Sequence, residues 1–333
     1  MAAIDAPWPA AVAVSGGGDS LALMHLLADW ARRKRIDTPL VLVVDHGLQP
    51  NSRRHAAKVR EWAKNAGLRA HVLRWRAPKP SSDIEAQARE ARYRLLGAFC
   101  RKRRLAALYA GHTLDDQAET FLLRLARGSG LDGLSAMSPA VPLPAPGFQS
   151  VQLLRPLLGF RRETLRSYLA KCGQEWLEDE MNADPRFARV RVRRALAFLE
   201  EAGLTKERIA DAAVHLGRAR EALDMATVAI LDRACIANGK AVSVDAEALG
   251  SAPRELGLRA LAAVLMRVSG QRYRPRFERL ERLFDAIRDG RLGAGATLHG
   301  CKISPETTRD FGEKTGRILI AAETGRRRAA TTS

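Results

Sequence analysis

The residues with the clearest capacity for chemistry form a glycine-rich segment near the start of the chain: Ser15, Gly16, Gly17, Gly18, Asp19 and Ser20. The apolar run Ala11–Val14 precedes this segment, and the amphipathic stretch Leu21–Trp30 follows it. The pattern predicts a strand, a glycine turn and a helix that starts at Asp19 or Ser20. Such a turn leaves backbone N–H groups and the positive end of a helix dipole facing open space, where a phosphate binds.

The order of residues in this loop narrows the type of phosphate site. The loop lacks the Lys-Ser/Thr ending of a Walker A loop, and it does not follow the G-x-G-x-x-G pattern. Serine before the glycines and Asp-Ser after them are typical of enzymes that split ATP between its α- and β-phosphates. A glycine turn needed only for close packing would not require these flanking residues. We therefore predict that Ser15–Ser20 bind the pyrophosphate part of ATP.

A second motif, Gly111–Thr120, combines one histidine with three carboxylates, namely His112, Asp115, Asp116 and Glu119. Gly-His closes a predicted strand and Leu114 opens a predicted helix, so both aspartates fall in the first helical turn and the glutamate lies one turn further on. Acidic residues favour the first turn of any helix, which explains one aspartate. The whole pattern, placed directly after a strand, favours a functional role.

Two kinds of chemistry suit carboxylates in this position. Beside a triphosphate they hold Mg²⁺, and we expect Asp19 and Asp116 to bind the ion. They also bind or deprotonate an amine nucleophile. Asp45, in the sequence Asp45-His46-Gly47 at the end of the second predicted strand, is a further candidate. The predicted catalytic residues are Asp45, His112, Asp115, Asp116 and Glu119.

The charge balance points to a polyanionic partner. Lys and Arg total 55 against 37 Asp and Glu, which gives a net charge of +18, and nucleic acid is the first candidate. The basic runs Arg32–Arg35 and Arg101–Arg104 lie at predicted helix C-termini, where cations stabilise the dipole. The arginines between Arg186 and Arg194 have no such explanation. The residues predicted to contact RNA are Arg92, Arg189, Arg191, Arg193 and Arg194.

The cysteines and the apolar segments indicate the cellular compartment of the protein. Four cysteines are scattered without C-x-x-C or zinc spacing, so we expect reduced, buried thiols. No basic region followed by an apolar core opens the chain, and no apolar run reaches the length of a membrane span. These features predict a cytoplasmic protein without membrane contact.

The first part of the chain alternates short apolar strands with amphipathic helices, a pattern that predicts a doubly wound parallel sheet, an α/β fold of the Rossmann-like kind. The predicted strands are Ala10–Val14, Leu40–Val44, Ala70–Trp75, Leu105–Ala110 and Val151–Leu154. The predicted helices are Ser20–Arg33, Arg53–Ala66, Asp83–Arg103, Leu114–Arg127 and Arg161–Cys172. Three polar segments, at Ser15, Asp45 and Gly111, then follow strand ends, where ligands bind in such sheets.

The second part is predicted to be helix-rich. Helices are expected at Lys206–Ala237, Arg254–Val268 and Pro275–Asp289, and strands at Ala241–Val244, Thr297–Ile303 and Arg317–Ala321. The Pro- and Gly-rich stretch Ser138–Gly147 is expected to be a surface loop. We predict a catalytic domain at 1–190, a helix-rich, RNA-binding region at 191–325 and a basic tail at 326–333.

Taken together, these motifs resemble the tRNA(Ile)-lysidine synthetase family of PP-loop enzymes. The matching pieces are Ser15–Ser20, Val44–Leu48, Glu85–Tyr93, Gly111–Thr120, Arg127–Leu134, Arg155–Leu158 and Asn182–Asp184 with its following arginines. The resemblance covers most of residues 10 to 195 and is faint beyond Ala202. One departure is that the family's Arg-Asn-x-x-Arg is here Arg189–Arg194 without asparagine. The resemblance therefore does not decide which arginine has the family's role.

The resemblance implies a two-step reaction on the wobble cytidine of tRNA(Ile) with a CAU anticodon. ATP adenylates the C2 oxygen and releases pyrophosphate; the ε-amine of free L-lysine then attacks C2 and expels AMP, leaving lysidine. ATP and Mg²⁺ are the implied cofactors, and homodimerisation stays open. Alternatives are a PP-loop cytidine thiolase, for which no suitable cysteine pair is spaced, a small-molecule amidating enzyme, which would not need the positive charge, and a basic RNA-binding protein with a vestigial loop.

Overall fold

The computed structural model describes residues 7–48, 50–77, 84–178, 186, 188–271, 273–307 and 314–323. The chain divides into two compact units, 1–217 and 218–333. The predicted organisation into 1–190, 191–325 and 326–333 is a functional division and stays a prediction. Asp83, the side chain of Glu85, Asn182–Asp184 and the basic tail lie outside the described residues.

The first unit contains a six-stranded sheet with the order β3-β2-β1-β4-β6-β5. Its strands are β1 (Ala10–Ala13), β2 (Leu40–Asp45), β3 (Ala70–Arg74), β4 (Ala107–Ala110), β5 (Ala140–Pro142) and β6 (Gln152–Leu154). Its helices are α1 (Gly18–Lys34), α2 (Ser52–Asn65), α3 (Ile84–Lys102), α4 (Leu114–Leu125), α5 (Leu131–Leu134), α6 (Arg162–Lys171) and α7 (Ala188–Glu201). The five predicted strands and five predicted helices are confirmed, with bounds within two residues.

Helices cover both faces of the central strands, which is the reason β1 and β4 contain no charged residue. In β1, Val12 packs into a core formed with α1, α2 and α6, whereas Ala11 packs into a second core with α3. The strands β1, β2, β3, β4 and β6 run parallel. The carboxyl ends of β1, β2 and β4 therefore meet at one edge, as predicted, and the strand order reverses between β1 and β4.

Three elements of this unit are not predicted by the sequence. Helix α5 is a single turn, and α7 begins in the arginine-rich segment. The expectation of a plain loop over Ser138–Gly147 is wrong in part, because β5 pairs antiparallel with β6 there. Pro142 is tolerated in β5 because this strand is at the sheet edge.

The second unit, 218–333, has a five-stranded antiparallel sheet with the order β7-β8-β11-β10-β9. Its strands are β7 (Cys235–Asn238), β8 (Ala241–Asp245), β9 (Ala296–Leu298), β10 (Cys301–Thr307) and β11 (Lys314–Ala322). The helices are α9 (Ala246–Gly250), α10 (Arg254–Ser269) and α11 (Phe277–Arg288), together with α8 (Lys206–Ala234), within which the two units divide.

Two details of this unit correct the sequence-based expectations. Thr297–Ile303 is a hairpin rather than one strand, because His299 and Gly300 adopt left-handed backbone angles, with φ of 57° and 72°, that turn the chain between β9 and β10. Helix α8 ends at Ala234, where β7 begins, and not at Ala237.

The four cysteines are free thiols. Cys100 and Cys301 are buried as expected, but the expectation is wrong for Cys172, which is exposed at the end of α6, and for Cys235, which is half-buried. Within the described residues, no helix is both long and apolar enough to cross a membrane.

Candidate active site

The glycine-rich loop leaves β1 and enters α1 through a turn closed by its two serines. The Ser15 backbone N–H donates to Ser20 Oγ at 3.2 Å, and Ser20 Oγ donates to the Gly17 carbonyl at 2.8 Å. Gly16 has a φ of 96°, and a Cβ there would lie 2.6 Å from Leu177 Cδ1. The N-cap of α1 is Gly17, and no described side chain caps this helix. The first N–H groups of α1 are thus available to an anion, as the sequence predicts for a phosphate loop.

Gly111 connects this loop to the second motif. It follows β4, which pairs with β1, and a Cβ on it would lie 2.8 Å from the Asp19 carbonyl oxygen and 3.0 Å from Ser20 Cα. Only glycine permits this approach of two backbones. The start of α4 is consequently held against the start of α1, and the carboxylates of α4 lie beside the loop.

Asp116 has a structural role at the start of α4. Its Oδ2 accepts hydrogen bonds from the Thr113 backbone N–H at 2.8 Å and from Thr113 Oγ1 at 2.9 Å, and the Asp116 N–H donates back to Thr113 Oγ1. This capping box satisfies the free N–H groups at the helix start. Helix capping therefore explains one aspartate of the Gly111–Thr120 motif. The other two carboxylates of the motif, Asp115 and Glu119, need another explanation.

Arg162, the first residue of α6, joins the loop to these carboxylates. Its guanidinium donates to Asp19 Oδ2 at 2.8 Å, to Asp116 Oδ1 at 3.1 Å and to Glu119 Oε1 at 3.3 Å. Its backbone N–H donates to Asp115 Oδ2 at 2.8 Å. We call Asp19, Asp115, Asp116 and Glu119 the acidic cluster.

Two more cations contact the cluster from later in the chain. Arg193 of α7 donates to Glu119 Oε1 at 2.6 Å and to Oε2 at 3.2 Å, and Lys206 Nζ lies 3.3 Å from Asp115 Oδ1. Glu119 is almost fully buried, with 1% of its surface exposed. Burying a carboxylate to this degree costs free energy unless cations are paired with it.

The members of the cluster differ in their proton affinity. Burial raises the pKa of Asp19, an effect that the Arg162 guanidinium reduces but does not cancel. Burial acts in the same direction on Asp115, but the Arg162 N–H and the Lys206 ammonium outweigh it and lower the pKa of Asp115. Asp19 Oδ1 is buried and accepts no hydrogen bond from the residues that the structure describes. One oxygen of the cluster is thus available to a further donor or cation.

A basic pocket surrounds His112, the residue after Gly111. Burial lowers the pKa of His112 to about 4; Asp116 opposes this effect, and the charges of Arg155, Arg89 and Arg189 add to it. Arg155 is 6% exposed and donates to the Ser138 carbonyl at 2.8 Å. His112 is therefore neutral at physiological pH, and its buried Nδ1 has no hydrogen-bond partner among the described residues.

Arg92 extends this pocket to the end of β2. Its Nε donates to His46 Nε2 at 3.3 Å, and burial lowers its pKa, with a contribution from the positive charges of Arg89 and Arg189. Arg89, Arg92 and Arg189 are exposed, and several like charges held near one another favour an anionic ligand, because an anion relieves their repulsion. We call His112, Arg89, Arg92, Arg155 and Arg189 the basic pocket.

The arginines of α7 do not form one surface. Arg193 points into the acidic cluster, whereas Arg189, Arg191 and Arg194 are exposed. Arg191 also donates to the Arg186 carbonyl at 2.9 Å. The exposed members suit RNA phosphates, and their assignment to RNA contact stays a prediction, as does that of Arg193.

Asp45 is buried at the end of β2 and is held by its own turn. Its Oδ1 accepts the Gly47 N–H at 3.0 Å, and its Oδ2 lies 4.0 Å from Arg74 Nε. The acidic cluster thus contains four of the predicted site residues. The described contacts of Asp45 are with Gly47 and Arg74, which are not part of this cluster.

The sequence does not identify Arg162, Arg155 and Lys206 as site residues. A usable signal exists for Arg162: it follows Arg161 at the start of α6, where the helix dipole disfavours cations. Arginines at a helix N-terminus therefore indicate carboxylates nearby. No comparable signal marks Lys206.

One atom of the acidic cluster, Asp19 Oδ1, suits the binding of Mg²⁺. The ion takes one or two protein carboxylates together with phosphate oxygens and water. The buried Asp19 Oδ1, which has no partner within the described part of the chain, meets that need. Asp116, already bound by Thr113 and Arg162, is less available. In the part of the chain that the structure describes, no group of three or more His, Cys, Asp or Glu has metal-binding geometry.

Comparison with known proteins identifies a matching family model and several similar sequences. A family model of the PP-loop domain matches residues 7–199. The chain is 36% identical over 318 residues to a tRNA(Ile)-lysidine synthase of Wolbachia pipientis wMel, covering 95% of this chain and 71% of that protein. It is 40% identical over 317 residues to that of Methylobacterium nodulans, covering 90% of this chain and 91% of that protein.

A solved structure shares the fold. The U34-tRNA thiolase NcsA from Methanococcus maripaludis, with its [4Fe-4S] cluster, aligns with a TM-score of 0.52 and 17% identity, over 63% of this chain and 72% of that chain. At this identity the likeness is one of fold.

Proposed function

Because the chain belongs to the tRNA(Ile)-lysidine synthase family, a branch of the PP-loop proteins, we propose that it ligates free lysine to the wobble cytidine of CAU-anticodon tRNA(Ile). In the first step the C2 oxygen of cytidine attacks the α-phosphorus of ATP, and pyrophosphate leaves. In the second step the ε-amine of lysine, having lost a proton, attacks C2; the C2–O bond breaks, AMP leaves and lysidine remains.

The observation that carries this proposal is the direct contact between the phosphate loop and the acidic cluster. Gly111 brings the two backbones together, and Arg162 bonds to Asp19 of the loop and to Asp116 and Glu119 of α4. A reaction that activates with ATP and then accepts an amine needs a triphosphate site and an ammonium site side by side. The loop N–H groups would hold the pyrophosphate, and the cluster would hold lysine.

Lysine arrives with a protonated amine, whose ordinary pKa is about 10.4, and this form is not a nucleophile. Carboxylates attract the ammonium, and one of Asp45, Asp115, Asp116 and Glu119 would take its proton. Asp115, with its lowered pKa, suits holding the charge more than accepting the proton. His112, neutral because its pKa is about 4, would offer a hydrogen bond and not a charge.

The basic pocket and the exposed face of α7 would bind the anticodon loop. Arg189 lies near His112, Arg92 lies near Arg89 and Arg189, and Arg191 and Arg194 are exposed. Arginine suits phosphate recognition because its planar fork donates two parallel hydrogen bonds. The wobble base would be unstacked into the site, as single-stranded RNA recognition requires. Arg193, bound to Glu119, would couple α7 to the cluster.

Mg²⁺, bound by Asp19 with Asp116 as the second candidate, would neutralise charge on the triphosphate. We also propose a cytoplasmic location. Homodimerisation would be settled by the mass of the protein in solution.

The test is incubation of the protein with a CAU-anticodon tRNA transcript, ATP and labelled lysine. We expect label in the tRNA and release of AMP that requires both tRNA and lysine for turnover. A transcript with uridine in place of the wobble cytidine is the matched control and should accept no label. Absence of label in the cytidine transcript, with intact tRNA binding, would contradict the proposal.

A further inference from the structure

Residues 174–178, which follow helix α6 closely, lie against one side of the phosphate loop, and we call them the strap. Two glycines of the loop face the strap. A Cβ on Gly16 would lie 2.6 Å from Leu177 Cδ1, and a Cβ on Gly18 would lie 3.7 Å from Trp176 Cγ. The Leu177 backbone N–H also donates to the Gly16 carbonyl at 2.9 Å. Each of the two glycines is therefore covered by one side chain of the strap.

The strap fixes the direction of one peptide group in the loop. The carbonyl and the N–H of a trans peptide point in opposite directions, so a Gly16 carbonyl held by Leu177 turns the Gly17 N–H away from the strap. The Gly17 nitrogen donates to Ser15 Oγ at 3.4 Å, and a Cβ on Gly17 would lie 3.6 Å from the same oxygen. This N–H and the Ser15 hydroxyl thus lie on the side of the loop away from the strap, where they are available to a phosphate.

The strap is itself anchored to the neighbouring helices. At its start, Gln174 Oε1 lies 3.1 Å from His25 Nε2 of α1. The guanidinium of Arg166, on α6, lies over the Trp176 ring at 5.6 Å from the ring centroid. Arg166 Nη2 is 3.2 Å from Glu178 Oε1, the oxygen to which Trp176 Nε1 donates at 3.3 Å. The Trp176 side chain also packs against the core formed by β1 and α1. These contacts hold the strap in place against the loop.

Helix α6 and the strap together contact the phosphate loop at two places. At the start of the helix, Arg162 donates to Asp19, and after the end of the helix the strap covers Gly16 and Gly18. A glycine-rich loop has many accessible conformations, and ordering it when a ligand binds costs free energy that lowers the affinity. A loop that is already ordered by its contacts avoids that cost.

We propose that Trp176 and Leu177 are positioning residues for the ATP step, which hold the phosphate loop in the form that binds the β- and γ-phosphates. The identity of the ligand as ATP rests on the proposed function. The ordering of the loop rests on the contacts of the strap. Because these contacts are made with Gly16 and Gly18, they act on the part of the ligand that the loop holds, the pyrophosphate group, and not on the nucleoside.

The first test measures the affinities for ATP, pyrophosphate and AMP by isothermal titration calorimetry in the presence of Mg²⁺. Leu177→Ala should bind ATP and pyrophosphate at least about tenfold more weakly, because losing one charge-assisted hydrogen bond to a phosphate lowers affinity by about that factor. Its affinity for AMP, which lacks the two outer phosphates, should be unchanged. Leu177→Met keeps the volume of the side chain and should bind all three ligands as the wild type does. The matched control is Ile36→Ala, since Ile36 is 37% exposed and follows the opposite end of α1.

The second test follows hydrogen exchange of the Leu177 amide and needs no substitution. This amide is bonded to the Gly16 carbonyl, so a ligand that holds the loop should also slow the local opening that exposes it. We expect ATP and pyrophosphate to slow the exchange in the wild type and AMP to leave it unchanged. Trp176→Ala should speed the exchange in the free protein, because it removes the side chain through which Arg166 anchors the strap.

Equal weakening of ATP, pyrophosphate and AMP binding in Leu177→Ala would overturn the inference, because it would indicate general damage to the fold. A lower free energy of unfolding with unchanged affinity for all three ligands would overturn it too, as would a Leu177 amide whose exchange pyrophosphate does not slow. If pyrophosphate binding depends on Leu177 but the wild type transfers lysine to no tRNA, the proposed function fails and the positioning role stands.

Discussion

Replacing Arg162 by glutamine tests whether one guanidinium holds the phosphate loop and the acidic cluster together. The wild-type side chain makes three charge-assisted hydrogen bonds, to Asp19, Asp116 and Glu119. Glutamine removes the charge and leaves three carboxylates facing one another, with Arg193 still bound to Glu119.

The magnitude follows from burial. The Arg162 side chain is 21% exposed and that of Glu119 is 2% exposed, so solvent screens the lost interaction only weakly. Breaking a buried pair by removing one partner costs about 3–5 kcal/mol, and the remaining exposure of Arg162 places the expected loss near 3 kcal/mol. The neighbouring Arg161 is the matched control. Its pair with Glu207 is 43% and 39% exposed, so Arg161→Gln should cost about 0.2–1 kcal/mol.

The pH dependence gives a second readout. Burial holds the pKa of Asp19 above its unfolded value, and removing the opposing charge of Arg162 raises it further, so the folded variant binds more protons at Asp19 than the unfolded chain does. Stability then falls as pH rises, and the deficit of Arg162→Gln should be larger at pH 8 than at pH 5. Adding Asp19→Asn to the variant should restore part of the lost stability, since it removes one of the repelling charges.

Urea unfolding followed by tryptophan fluorescence measures the stability of the first unit, which contains Arg162, because all five tryptophans lie within residues 1–217. Equal unfolding free energies of Arg162→Gln and Arg161→Gln, at both pH values, would refute the assignment of Arg162 as the joining residue.

Three further changes probe the loop and the histidine. Asp19→Ala should abolish turnover of ATP to AMP and leave tRNA binding nearly intact; retained turnover would remove Asp19 from the site. Gly111→Ala should destabilise the fold and weaken ATP binding, because its Cβ would meet the Asp19 carbonyl at 2.8 Å, whereas Gly159→Ala has open space and should be silent. For His112, the pKa of about 4 lies below the ordinary 6.5, so stability should fall as pH drops from 6.5 to 4. His112→Gln should flatten that slope in urea unfolding, and an unchanged slope would contradict the lowered pKa.

The sheet and the phosphate loop could be predicted because their signals are local. Apolar strands of four to six residues between amphipathic helices specify a parallel sheet, and polar residues directly after β1 and β4 indicate its ligand-binding edge. The main role of Gly111 is to let the backbone of α1 come close to it. The sequence has no local signal for this role, because the two segments meet only in the folded chain.

The counter-ions of the acidic cluster could not be predicted in the same way. Arg162 is 46 positions from Asp116 and 143 from Asp19, and only the pairing of strands brings them together. The arginines of α7, in contrast, could be told apart from the sequence. Val190 and Leu196 are buried and lie on the same helix face as Arg193, so helical periodicity alone separates Arg193 from the exposed Arg191 and Arg194.

The hairpin around His299 and Gly300 illustrates a third limit. Thr297–Ile303 has the composition of one strand, and the positive φ values that divide it depend on pairing of β9 with β10. Glycine after a polar residue is a turn signal, but it is a weak one inside an apolar run.

The central claim is that the phosphate loop and the acidic cluster together attach lysine to a cytidine. Mass spectrometry of nucleosides from the CAU-anticodon tRNA, digested after incubation with the protein, ATP and lysine, measures this directly. The account predicts a cytidine carrying lysine at the wobble position, formed by the wild type and not by Asp19→Ala. An unmodified wobble cytidine, or one that has gained sulfur instead of lysine, would contradict it.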